Sequence, residues 1–178
     1  GRNAKPIRNT LNLDWETGWF IGAYLAEGSN NGSSVAISNI NNLYIERAKT
    51  FAEKIGIDYN DRLCQGEYGP SRSLIICSTF LGNLISESCG MGSDFKKVPD
   101  FAFNASDEFV SGLLRGYFDG DGNFHDDRNL IRVASNSKEL VDGMALLLSR
   151  FRIFSFKTID KKNQHWMLIP YKYAPLLL

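Results

Sequence analysis

The chain has 178 residues, 43% of them hydrophobic, with 20 Lys and Arg against 20 Asp and Glu and therefore no formal net charge. That length can bury a core, as one domain or as two small fused units, and no stretch approaches the roughly 20 apolar residues of a membrane-spanning helix. Zero net charge argues mildly against nucleic acid, whose binders usually show a positive footprint, although residues 124–169 hold eight Lys/Arg against five Asp/Glu; a solvated face is the other reading of that excess.

Gly1 stands where an initiator Met would be, which suggests a segment of a longer protein, and no secretory apolar stretch follows it. Cys64, Cys77 and Cys89 are odd in number and form no CxxC pair, and only His125 and His165 are available to complete a zinc set. They are expected as buried small residues of a reduced, intracellular protein, in cytoplasm, nucleoid or organelle matrix.

The first strong signal is residues 18–28, GWFIGAYLAEG, in which Gly18, Gly22 and Ala26 fall four apart and so share one face of a helix. Residues 35–39 alternate as a strand, and Leu43, Ala48, Phe51, Ala52 and Ile55 are expected on one helix face. Strand-like runs follow at about 57–64 and 73–78 around a Gly/Pro turn at 66–70, then an amphipathic helix near 80–88. Residues 91–105, with Lys96-Lys97-Val98-Pro99, read as a linker. The series then begins again. Residues 112–122, GLLRGYFDGDG, repeat the stripe as Gly112, Gly116 and Gly120, and both segments end in an acid followed by Gly. Residues 131–136 alternate, Leu140, Met144, Leu147, Leu148 and Phe151 share a helix face, and 153–159 and 165–169 are strand-like around a polar turn at 160–163. Ser38-Asn39 and Ser135-Asn136 match as the lead into the second helix of each copy. The chain thus divides into a first half (1–90), the linker (91–105) and a second half (106–178), with only 171–178 left for a closing helix, and the duplication implies pseudo-twofold symmetry.

Glycine costs a helix about 1 kcal/mol relative to alanine, so Gly18, Gly22, Gly112, Gly116 and Gly120 need a compensating contact. Close approach of two helix backbones, as in small-xxx-small packing, supplies one. Packed stripe to stripe and parallel, the helices bring Glu27 and Asp121 together at their C-termini. There the helix dipole and the like charge both disfavour a carboxylate. The Gly after each acid has a simpler reading as a C-cap, but Lys or Arg would then be the better neighbour. A divalent cation removes the conflict: Mg²⁺ takes one or two carboxylates, leaves places for water and phosphate oxygens, and assists phosphoryl chemistry.

FIGAYLAEG at 20–28 and LRGYFDGDG at 114–122 resemble the LAGLIDADG motif of homing endonucleases, the second more closely, and the resemblance extends over nearly the whole chain. It implies an α+β fold of two pseudo-twofold-related αββαββα halves, with antiparallel DNA-binding sheets and a central pair of packed motif helices. It also implies a monomer that hydrolyses both strands of a long double-stranded DNA target, leaving 3′ overhangs, with Mg²⁺ or, as a substitute, Mn²⁺. The last motif acids carry over as catalytic and metal-binding Glu27 and Asp121, with backbone carbonyls of Gly28 and Gly122, or of Ala26 and Gly120, as further metal ligands. The penultimate motif acid is Asp119 in the second copy and Leu25 in the first, a position that is usually structural. Lys96, three before Pro99, is similar to a basic residue preceding the second motif in intein-borne members and is the third catalytic candidate. A solvated linker lysine is the alternative, and Lys5-Pro6 is a weak counterpart. Fusion to an intein splicing domain is implied in the same way, although the chain opens on Gly1 and has no final His-Asn.

DNA-contact candidates are Arg132, Lys157 and His165 within strands, Arg62 and Arg72 near strand ends, and Arg128, Lys161 and Lys162 in turns. Asn30, Asn31, Ser33 and Asn123 lie near the motif ends. Each has a plain reading as a surface residue, as does His125, four positions beyond Asp121. Trp15, Trp19 and Trp166 are expected in the core. Two rival functions remain. A non-cutting DNA- or RNA-binding relative, such as a maturase, a transcription regulator or a degenerate intein remnant, would keep the fold; both acids being present weighs against it. A duplicated α+β module with no nucleic-acid role leaves the two helix-end acids unexplained.

Overall fold

In a computed structural model the described residues are 10–66, 69–125 and 129–177; Lys5, Pro6 and Arg128 lie outside them, as does the His125 side chain. The first half runs α1 (Trp15–Glu27), β1 (Gly28–Asn30), β2 (Val35–Asn39), α2 (Asn42–Ile55), β3 (Tyr59–Gly66), β4 (Gly69–Ile76) and α3 (Thr79–Cys89). After a 3-10 turn at Asp100–Asn104 the second half repeats it as α4 (Asp107–Asp121), β5 (Asn123–His125), β6 (Leu130–Ser135), α5 (Lys138–Arg150), β7 (Phe156–Ile159) and β8 (His165–Pro170). A further 3-10 turn, Tyr171–Tyr173, leads to a short α6 (Ala174–Leu177). Two four-stranded antiparallel sheets result, ordered β1-β2-β4-β3 and β5-β6-β8-β7, the mixed architecture expected of the motif.

Local chemistry sets the helix starts. Asp14, Asn41, Ser78, Ser106 and Ser137 each accept a hydrogen bond from a first-turn backbone N–H, of Thr17, Leu43, Leu81, Phe109 and Leu140 respectively, satisfying donors that the helix itself leaves open. Gly56, with φ +72°, closes α2 in the left-handed region. α1 is unlike a surface helix: residues 17–25 are buried without interruption, because it is covered on every side.

Three expectations change. Leu43 is 80% exposed; it lies five residues before Ala48, about 140° around the helix at 3.6 residues per turn, and so falls outside the buried stripe of Tyr44, Ala48 and Phe51. Of the cysteines only Cys89 is buried, while Cys64 and Cys77 lie exposed near the strand hairpin. The linker is packed rather than loose, with Val98 and Ala102 in the core.

The strand register also corrects the match between halves. Ser29 pairs with Ala36, seven positions on, whereas Asn123 pairs with Arg132, nine positions on. The second hairpin is therefore two residues longer, and the counterpart of Asn39 is Ser135 rather than Asn136. The helix caps that follow, Asn41 and Ser137, keep the same offset.

Candidate active site and nucleic-acid interface

α1 and α4 meet backbone to backbone. A Cβ at Gly18 would lie 2.1 Å from the Phe109 carbonyl oxygen, and at Gly22 2.0 Å from that of Leu113. Reciprocally, one at Gly112 would lie 2.1 Å from the Trp15 oxygen and one at Gly116 2.0 Å from that of Trp19. Contacts advance in the same direction along both helices, so the helices are parallel. Gly120 closes the seam, its Cβ position 2.7 Å from Ala26 Cβ and 3.1 Å from Glu27 Cγ. Glu27 and Asp121, the last residues of their helices, are thereby brought to one end of the joint.

Neither following glycine is a left-handed cap. Gly28 and Gly122 have φ of −82° and −69° and enter strands directly. They are glycine for room: a Cβ would come within 2.3 Å of Tyr24 Cδ2 at Gly28 and of the Phe118 oxygen at Gly122. Both are nevertheless the C-caps of their helices, Gly28 N donating to the Tyr24 carbonyl and Gly122 N to that of Phe118; the cap alone leaves the acid before each glycine unexplained.

Both carboxyls are held above their ordinary range. Burial pushes Glu27 up, partly opposed by the Lys96 charge. Asp121 is pushed up to about 6, first by burial and then by the charge of Glu27, with Lys96 again opposing. Lys96 itself is 7% exposed, which overturns the solvated-linker alternative. Its ammonium donates to the Leu25 carbonyl (3.1 Å) and, more weakly, to that of Ala26 (3.5 Å), and it lies 5.1 Å from the Tyr24 ring centre. It thus places a cation at the negative end of α1. Burial pulls its pKa down while Asp121 and Glu27 hold it up. The peptide carrying it is pinned on both sides. Lys97 N donates to the Cys89 oxygen (2.8 Å). Ser137 Oγ donates to the Lys96 carbonyl (2.6 Å) while accepting from Leu140 N (3.1 Å). Ser137→Ala removes a helix cap and this tie together, so a loss of about 1–2 kcal/mol is expected in urea unfolding; an unchanged midpoint would show that the tie contributes nothing.

The surroundings of the two acids are unequal. Asn39 and its counterpart Ser135 each accept from the N–H two residues on, of Asn41 and Ser137, but Asn39 also donates through Nδ2 to Glu27 Oε1 (3.1 Å). Two tyrosines escaped the sequence reading. Tyr44 of α2 is buried and donates to the Gly116 carbonyl (2.9 Å), tying the first half to α4. The Tyr117 hydroxyl is buried with no hydrogen-bond partner among the described residues, and burial together with the Asp121 charge pushes its pKa well up. Asp119 accepts from Trp19 Nε1 (3.4 Å) and pairs with Arg115 (2.8 Å) and Arg47 (4.0 Å), a bracing role. Trp19 is core, while Trp15 and Trp166 are only partly buried.

Among the described residues no three His, Cys, Asp or Glu side chains gather as a metal site. The donors at the helix ends are therefore two carboxylates and main-chain oxygens, a hard, oxygen-only set that fits Mg²⁺ completed by water and phosphate. The Ala26 carbonyl accepts Lys96 only weakly (3.5 Å) and keeps a second lone pair, so Ala26, Gly28, Gly120 and Gly122 all remain as expected carbonyl ligands.

Strand alternation sorts the DNA-contact candidates by face. Val35, Ile37, Leu74 and Ile76 in the first sheet, and Ile131, Val133, Met167 and Ile169 in the second, are buried on the helix side. Arg62, opposite Ser73, and Arg132, opposite Asn123 and Leu168, are on the open side. Arg72, Lys157 and His165 share the parity of Leu74, Met167 and Ile169 and fall on the helix side, contrary to expectation. Arg72 is paired with Asp61 and with Glu46 of α2, and Lys157 with Asp142 of α5. Asn30 donates to the Gly82 carbonyl (2.6 Å) and accepts from Gly32 N (2.8 Å), and Asn31 Oδ1 accepts from Ser33 N and Ser34 N. Both asparagines shape the first hairpin, Asn30 half-buried and Asn31 exposed. Asn123, Lys161 and Lys162 are exposed.

Residues 108–172 match the family described as a LAGLIDADG-like domain. Over 172 residues, 97% of this chain, the sequence is 48% identical to the DNA-directed RNA polymerase subunit Rpo1C of Methanocaldococcus jannaschii, and that stretch is 20% of the subunit. Over 145 residues, 77% of this chain, it is 28% identical to the DNA polymerase of Thermococcus sp. (strain GE8), 8% of that protein. The chain spans a fifth or less of the length of these curated relatives. Among solved structures, I-DmoI in complex with DNA and Mn matches over 93% of this chain and 94% of its own, with a TM-score of 0.68 at 9% identity, a likeness of fold.

Proposed function

Since the chain is a LAGLIDADG protein with the fold of the single-chain homing endonucleases, we propose that it is a site-specific endonuclease that hydrolyses both strands of a long DNA target and leaves 3′ overhangs. The observation that carries this reading is the backbone-to-backbone joint that sets Glu27 and Asp121 at one end, between two sheets with open faces. One chain supplies both acids, so it works as a monomer, one acid serving each strand. Glu27 and Asp121, with carbonyls of Gly28 and Gly122 or of Ala26 and Gly120, would hold the divalent ion. Bound there, Mg²⁺ (or Mn²⁺) supplies Lewis-acid stabilisation of the phosphate and an acidified water. Lys96 keeps the two carboxylates ionised in a half-buried setting, and its charge offsets the negative helix end facing a polyanionic substrate. Arg62, Arg132, Asn123, Lys161 and Lys162 are the contacts to duplex DNA.

The relatives favour an inserted element. One stretch aligns with part of an RNA polymerase subunit and part of a DNA polymerase, two proteins with different tasks, each mostly made of other sequence. A segment shared by such hosts carries an activity of its own, and residence in an intein accounts for it.

Incubation with Mg²⁺ and a randomised or host-gene duplex library, followed by sequencing of the ends, tests the function. Wild type is expected to yield defined 3′-overhang ends. Glu27→Gln and Asp121→Asn should each lose double-strand cleavage by about a hundredfold or more and keep binding in Ca²⁺. Full cutting by either variant sinks the assignment of the acids. Salt-sensitive binding with no ends from wild type points instead to a non-cutting relative.

A further inference from the structure

The open faces of the two sheets differ in chemistry and in reach. On the first, Ser38 and buried Ser73 hydrogen-bond each other (2.8 Å), Arg62 sits opposite Ser73 and Cys64 opposite Ser71, and Ala36, Asn60 and Ile75 share the face: polar side chains outnumber apolar ones, and no aromatic ring stands among them. β3 and β4 run for 8 residues each, about 27 Å at ~3.4 Å per residue. β7 runs for 4, about 14 Å on the same spacing. On the second sheet, Leu130, Arg132, Thr158, Ile159, Trp166 and Leu168 line a shallow depression of about 280 Å³, with Asp160 at its edge. Phe156, opposite Leu168, stands 66% exposed beside it. The Trp166 indole N–H is occupied by Asp160 (3.3 Å). Among the described residues this face is mostly carbon, with the Thr158 hydroxyl, the Asn123 amide and the guanidinium of Arg132, which lies 5.5 Å above the Trp166 ring with its Nε unpartnered among those residues.

An open aliphatic and aromatic face is poorly matched to water and calls for an apolar counterpart. In the major groove that counterpart is the C5-methyl of thymine, while a guanidinium matches guanine O6 and N7. Building on the nuclease reading, we infer that the half-sites are read by different chemistry. The first sheet reads a longer half-site through hydrogen bonds. The second reads a shorter, thymine-rich one through methyl contacts, with Arg132 on its indole platform selecting a guanine. Strand rise and the ~3.4 Å rise per base pair are nearly equal, so the 8-residue β3 and β4 span about eight base pairs, against about six for the 6-residue β8 and about four for β7.

The test uses the whole chain, a randomised duplex library and Ca²⁺ in place of Mg²⁺. Duplexes enriched by binding are sequenced, and the selection is repeated with Phe156→Ser, an exposed change that leaves the core intact. The half-site whose preferences shift is the one under the second sheet. The enriched duplex is then remade with deoxyuridine for thymidine, one half at a time. Removal of the methyls under the second sheet should weaken binding about fourfold per methyl in contact, and removal in the other half less than twofold. Equal losses in both halves, or none in either, with the enriched duplex still bound, overturn the inference and leave the nuclease reading standing. If wild type enriches no duplex at all, the nuclease reading falls and takes this inference with it.

Discussion

Gly116→Ala is expected to destabilise the protein by about 3 kcal/mol or more, or to prevent folding. The added carbon would lie 2.0 Å from the Trp19 carbonyl oxygen, and neither atom has a rotamer to escape into. The two helices must move apart along the whole joint, which loosens the contacts of Gly18, Gly22 and Gly112 as well. Alanine's better helix propensity, about 1 kcal/mol, recovers only a part. Gly120→Ala is the internal comparison: its new carbon meets Ala26 Cβ and the Tyr44 hydroxyl at 2.7 Å each rather than a carbonyl oxygen at 2.0 Å, and it lies at the end of the joint, where only the last turns need to part, so a smaller loss of about 1–2 kcal/mol is expected. Urea titration of the three proteins measures both. A Gly116→Ala protein within 1 kcal/mol of wild type would mean that the helices do not touch through their backbones.

Asp121→Asn should be more stable than wild type at neutral pH in the absence of metal. The carboxyl's pKa rises from 3.8 to about 6 on folding, so between those values the folded state binds its proton more tightly than the unfolded state does. Below about pH 4 both forms are protonated and the group has no effect. As pH climbs to 6 the penalty grows, reaching about 3 kcal/mol above it. Lys96, deprived of one partner by the substitution, offsets part of the gain, so an advantage of about 1–3 kcal/mol is expected at pH 7.5. It should vanish near pH 4. Millimolar Mg²⁺ should narrow it, because wild type alone keeps both carboxylates. Thermal or urea unfolding of the pair at the two pH values, with and without Mg²⁺, measures this. Equal stability at pH 7.5 in metal-free buffer would show that Asp121 is not held ionised against its surroundings.

Much of this arrangement was legible in the residues. The four-residue spacing of small side chains predicts the joint, and the acid-glycine pair ending each stripe predicts where the carboxylates meet. Even the misplacement of His165 and Arg72 was readable: each is an even number of positions from Met167 or Leu74, so strand alternation puts it on the buried side. Lys157 was harder, since its strand is short and its register is set only by pairing with β8. The burial of Lys96 could not be read. It and Lys97 are neighbours of the same type, and only the distant Cys89 and Ser137 decide which turns inward. Tyr44 was hidden for a similar reason, because its hydroxyl partner is a backbone carbonyl in the other half. The three-residue strands β1 and β5 are too short to show a period, and the two extra residues of the second hairpin shifted the match of Asn39 by one place.

The joint between the halves and the open faces of the sheets draw on separate residues. The first is mostly backbone and glycine; the second consists of outward strand positions that add little to the core. Changes at Arg62, Phe156, Thr158 or Leu168 therefore leave the seam and its acids untouched. On the proposed reading, such a protein can drift freely at those positions and acquire a new target while the seam that sets its two acids stays fixed.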